Sequence, residues 1–145
     1  MRNGFFLEVI EQAADGILHR AAIQYLAFIK MKQGNPEQAY TLLLPLQDQL
    51  AADVRCLLHE LAAERQNWPL VAKLSSPCYQ ISQSQETALR NARAFAFLNQ
   101  PKPAGGWLQT AWRQGQFDLE KVLNEEVFQA IRKDPEFQHF LHLMR

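Results

Sequence analysis

Apolar residues recur along this chain at intervals of three and four, the spacing that lines one side of an α-helix. Phe6, Val9, Ile10, Ala13, Ala14 and Ile17 keep that spacing and predict an amphipathic helix over residues 4–18. Ile23, Leu26, Ala27 and Met31 repeat it, and Gly34-Asn35 supplies a stop. Pro36 suits the first turn of a following helix, where its missing N–H is not needed. That helix carries Ala39, Leu42, Leu43 and Leu46, and Pro45 kinks or ends it. The cycle starts again with Val54, Leu57, Leu58, Leu61 and Ala62. Asn67-Trp68-Pro69 makes a turn, and Leu70, Val71 and Leu74 begin the partner helix. The longest polar stretch, Ser75 to Ser84, reads as a loop. Leu89, Ala92, Phe95 and Ala96 predict another helix, followed by a turn at Asn99 to Pro103 and a helix holding Leu108 and Ala111. No segment sustains a period of two with β-branched enrichment, so the expected fold class is all-α.

Helix pairs joined by short turns invite a search for a repeat. Ala39, Ala72 and Ala104, one small residue in each second helix, lie 33 and 32 residues apart. That spacing is close to the roughly 34-residue unit of tetratricopeptide proteins. The chain resembles that family at Leu26, Ala27, Gly34, Ala39 and Leu43 in a first unit, and at Ala92, Phe95, Asn99, Ala104, Leu108 and Ala111 in a third. A middle unit with Leu58, Asn67, Trp68 and Ala72 fits with a one-residue slip. The end, from Trp112 onward, resembles the closing segment of many such arrays. Asp134 would cap a final short helix with Pro135 at its first position, and Phe137, Phe140 and Leu141 would cover the end of the stack. The resemblance implies an α-α superhelix of about three helix pairs. In that reading residues 1–19 form an N-terminal helix, 20–116 the three pairs, and 117–145 a C-terminal cap. Gly105-Gly106 would cost the second helix of the third pair about 2 kcal/mol relative to alanine. Either that helix starts late or another backbone packs close to it.

Length and charge narrow the function. A chain of 145 residues makes one domain with a real core. Fifteen basic side chains balance fifteen acidic ones, which argues against nucleic acid as the partner. No apolar run approaches the roughly 20 residues of a membrane span. Glu8 and Glu11 interrupt the apolar start, and no small-residue cleavage site follows, so a signal peptide is not expected. Cys56 and Cys78 are too few for a disulfide framework and read as reduced thiols. A cytoplasmic protein, or a cytoplasmic piece of a larger one, follows from these features.

Catalytic chemistry is present only in fragments. Cys56 and His59 lie three apart, as do His139 and His142, but a zinc site needs three or four ligands. Glu125 and Glu126 are adjacent, so on a helix they would point about 100° apart. The chain has no Gly-rich phosphate loop and no nucleophile motif with a base. The sequence therefore predicts no catalytic residue, no metal site and no cofactor. A small metal-dependent enzyme would rest on the Cys/His fragments alone.

Binding is the better supported expectation. The family resemblance implies a concave face built by the first helix of each pair, on which Gln24, Phe28, Met31, Leu57, Glu64, Leu89, Arg93 and Phe97 would project, with Arg90 nearby. The positions at which the family's carboxylate clamp carries Lys and Asn read Gln24 and Phe28, then Leu89 and Arg93. A clamp on a peptide terminus is therefore not expected. Residues 86–116 hold Arg90, Arg93, Lys102 and Arg113 against Glu86, and a basic groove there would favour an acidic peptide. Alternatively, these arginines are solvated or pair with the segment 117–145, whose net charge is −2. Phe28 and Phe97 either anchor a ligand or fill the core between repeats. Trp107 and Trp112 project about 140° apart and must meet different neighbours, while Trp68 is structural. The expected function is a non-catalytic protein–protein interaction module that holds a peptide or helix of a partner. The alternatives are a docking or regulatory domain of a larger protein and a secretion-chaperone-like subunit. A homodimer through the convex face is also open.

Overall fold

The computed structural model describes residues 16–145. The helix expected over residues 4–18 lies outside them apart from its last three positions, of which Ile17 and Leu18 open the first helix described. That helix, α1, spans Ile17–Lys32, and α2 spans Pro36–Leu43 with a 3-10 turn at Leu44–Leu46. Next come α3 (Ala52–Glu64), α4 (Trp68–Lys73), α5 (Ser75–Ile81), α6 (Gln85–Phe97) and α7 (Pro101–Gln114). The chain closes with α8 (Leu119–Leu123), a 3-10 turn at Glu126–Phe128, and α9 (Pro135–Met144). The described residues contain no strand, so the protein is all-helical there.

One backbone joint recurs three times. At the end of α1 the N–H of Gly34 donates to Met31 and that of Asn35 to Lys30. At the end of α3 the N–H groups of Gln66 and Asn67 donate to Ala63 and Ala62. At the end of α6 those of Asn99 and Gln100 donate to Ala96 and Phe95. Each is a Schellman closure, which needs one left-handed residue. Gly34, Gln66 and Asn99 supply it with φ of 75°, 56° and 57°. These residues are 32 and 33 apart, and each is followed by one non-helical residue and then a new helix at Pro36, Trp68 or Pro101. Proline lies in the first turn of all three new helices, where no N–H is missed.

The chain divides into two compact units, Met1–Leu61 and Ala62–Arg145, with the division inside α3. In the first unit α1 packs on α2, and Ala27 and Ala39 are both fully buried. Small side chains here allow two helices joined by three residues to approach closely. Leu43 is buried beside them, and Pro45 falls in the 3-10 turn that ends α2.

In the second unit α6 packs on α7 and α7 on α9. Their core combines Leu108, Leu123, Phe128, Ile131, Phe137 and Leu141, all essentially inaccessible to solvent. Each such side chain contributes roughly 1.5–3 kcal/mol by leaving water. The Phe128 and Phe137 rings stack with centroids 6.0 Å apart. Asp134 Oδ1 accepts the N–H groups of Glu136 and Phe137 at 2.8 and 3.4 Å, the cap expected for α9. Trp107 and Trp112 do meet different partners, edge-on to Tyr79 and to Phe117.

The fold corrects several expectations. The polar stretch from Ser75 is not a loop but α5, held by contacts that its composition conceals. Ser75 Oγ donates to Ala72 O at 2.7 Å, the buried Asn91 donates to Ser75 O at 3.2 Å, and Cys78 is buried. Pro77 lies in the first turn of α5, where it costs little. α7 starts at Pro101 rather than after Pro103. The close approach at Gly105 comes from the side chain of Phe140, not from another backbone. Neither Cys56 nor Cys78 is a reduced thiol: both are disulfide-bonded. They stand on different helices, and only folded geometry decides whether such cysteines bond.

Candidate functional site

The second unit carries a groove of about 500 Å³ beside α6. Arg93, Ala96 and Phe97, at helical spacings of three and four, form one wall. Glu125, Glu126, Val127 and Ala130 form the other, and Gln66 and Trp68 at the joint before α4 complete the lining. The 3-10 turn that carries Glu126 packs on α6 and is anchored by the fully buried Phe128. Arg132 steadies the approach to this turn, donating to Leu123 O at 3.2 Å and to Asn124 Oδ1 at 2.8 Å.

Two features dominate the lining. Phe97 is 57% exposed although it is a large apolar residue, whereas Ala96 and Trp68 beneath the groove are buried. Arg93 makes a two-pronged pair with Glu125: Nε donates to Oε1 at 2.7 Å and Nη2 to Oε2 at 3.0 Å. Both side chains keep about a third of their surface in water. Of the two readings the sequence left open for Arg93, pairing with the acidic C-terminal segment is the one realised. The lining therefore holds one basic and two acidic side chains.

Of the nine residues expected on the binding face, Arg93 and Phe97 line this groove. Leu89 is half-buried against the core, and Arg90 faces Glu86 one turn away at 3.5 Å. Glu64 is exposed and 3.7 Å from Arg65. Gln24, Phe28, Met31 and Leu57 belong to the first unit. There Gln24 accepts the N–H of Ala51 at 2.9 Å and Phe28 is 38% exposed. Sequence reasoning missed Gln66, Glu125, Glu126, Val127 and Ala130 as neighbours of Arg93. The signal available was the opposite charge of the segments around Arg93 and Glu125.

Among the described residues no three or more His, Cys, Asp or Glu side chains gather around a cation position. Cys56 is disulfide-bonded and offers no thiolate beside the buried His59. His139 and His142 are exposed on α9. No helix among the described residues is long and apolar enough to cross a membrane. No protein-family model, no curated protein and no solved structure matches the chain.

Proposed function

We propose that this protein is a helical-repeat module of the tetratricopeptide kind that binds a segment of another protein without catalysis. The repeat reading is supported by the joint that recurs at Gly34, Gln66 and Asn99, because a solenoid is built from one supersecondary unit used again. The binding reading rests on one observation: Phe97 stands out at the edge of a groove instead of filling the core. Aromatic anchors of this sort dominate the energetics of protein interfaces. A peptide or helix would lay an apolar side chain against Phe97 and Val127, and the polar rim would set its direction. Cytoplasmic residence is the expectation from a sequence that shows neither a span-length apolar run nor a signal-peptide pattern. With both cysteines bonded, an oxidising compartment is the reading we favour.

Site-specific crosslinking in the organism that makes the protein tests this. A photoreactive phenylalanine analogue replaces Phe97 in one chain and Leu143 in another, since both are 57% exposed. A discrete adduct to one protein from position 97, with none from position 143, is expected. Identical adducts from both positions, or none from position 97, would rule out the groove as the binding surface.

A further inference from the structure

The charge of the groove defines its partner more closely, given the reading that the groove is where the partner binds. Arg93 engages both carboxylate oxygens of Glu125, so the pair presents little net positive charge. Glu126 is exposed, and among the described residues no cation stands within salt-bridge distance of it. The charges of Arg93, Glu125 and Glu126 sum to −1. An acidic ligand would have to displace Glu125 from Arg93 and then lie between two carboxylates, an arrangement that like-charge repulsion disfavours. A basic ligand meets no such obstacle. Its cation reaches Glu126 and the outer lone pairs of Glu125, and the exposed face of Phe97 attracts it further through the ring quadrupole.

We propose that the groove takes a basic–hydrophobic segment of its partner, in which an Arg or Lys lies within one helical turn of an apolar side chain. The apolar side chain contacts Phe97 and Val127, and the cation contacts Glu126. This reverses the acidic partner expected from the charge of residues 86–116 alone. The reversal comes from Glu125, which the fold brings across 32 residues to Arg93.

Selection from a displayed library of random 12-residue peptides tests the assignment, using the full chain as bait and the Phe97→Glu chain for counter-selection. Phe97 and Glu126 are exposed, so both variants should keep the wild-type helical circular dichroism. Peptides that depend on Phe97 are expected to carry Arg or Lys within four residues of Phe, Leu or Trp. Their affinity in fluorescence anisotropy should fall by about tenfold or more with Glu126→Lys, a loss of about 1.4 kcal/mol. It should also weaken when salt rises from 0.15 to 0.5 M. Peptides that depend on Phe97 but are acidic, or are indifferent to Glu126→Lys, would overturn the basic-partner assignment and leave the groove in place. If no selected peptide depends on Phe97, the groove reading itself is wrong.

Discussion

The ring of Phe140, on α9, lies across the bare backbone of Gly105 on α7. A β-carbon built at Gly105 would stand 2.8 Å from Cγ and 3.0 Å from Cβ of that phenylalanine. Turning the ring about Cα–Cβ would move Cγ, but Cβ is fixed to the backbone of α9, so that contact is relieved only by a shift of the helix. At Gly106, one residue on, an added β-carbon meets nothing within 4 Å. Two adjacent glycines in one helix thus have different causes: the first makes room for a helix contact, and the second only weakens its helix.

Alanine substitution should separate them in sign. Gly106→Ala gains the helix propensity of alanine and should stabilise the protein by about 1 kcal/mol. Gly105→Ala gains the same propensity but forces α7 and α9 apart, and overpacking of this kind costs about 1–3 kcal/mol. Urea unfolding followed by circular dichroism measures both. If the two variants shift the midpoint in the same direction by similar amounts, the Phe140 contact is not the reason for Gly105.

The three Schellman joints make a second comparison. Gly34 takes φ of 75° at no steric cost, whereas Gln66 holds 56° against its own β-carbon. A left-handed conformation costs an L-residue roughly 1–2 kcal/mol. Gln66→Gly should therefore raise the melting temperature by about 2–4 °C, and Gly34→Ala should lower it by a similar amount. Asn99→Gly should change it less, because asparagine tolerates this region better. A Gln66→Gly chain that melts below wild type would show that the glutamine side chain makes contacts worth more than the backbone strain.

Helices were legible in the sequence where apolar spacing and punctuation agreed. Gly34-Asn35-Pro36 gives both a stop and a start, and α1 ends just before it while α2 begins at Pro36. The second helical segment after Leu74 is hidden because two of its supports, Asn91 on the Ser75 carbonyl and Trp107 on the Tyr79 ring, come from residues remote in sequence. The groove was half legible. Spacing along α6 put Arg93 and Phe97 one turn apart, but nothing local indicates which carboxylate reaches Arg93. Opposite charge narrowed the choice to residues 117–145, and only the anchoring of Phe128 in the core selects Glu125.

The bonded cysteines carry a prediction that needs no partner. Protein unfolded without reductant should react with no equivalents of a thiol reagent, and after reduction with two, one each from Cys56 and Cys78. Reduction should also lower stability by about 2–4 kcal/mol, the usual worth of a disulfide. Two reactive thiols before reduction would remove the bond, and with it the argument for an oxidising compartment.

The Arg93–Glu125 pair should behave as a weak structural contact and a strong determinant of ligand charge. Both side chains remain partly in water, so a double-mutant cycle with Arg93→Ala and Glu125→Ala should give a coupling of about 0.5–1 kcal/mol. That coupling should shrink as salt rises from 0.05 to 0.5 M. Glu125→Gln combined with Glu126→Gln leaves Arg93 as the one charged side chain of the lining and changes its sum from −1 to +1. The guanidinium then has no carboxylate partner in the groove, and its donors are available to a ligand's acid. Peptide selection against this double variant should enrich Asp and Glu beside the apolar anchor, where the wild-type chain enriches Arg and Lys. If both chains select the same peptides, charge in this groove does not choose the ligand, and the shape around Phe97 is the sole determinant.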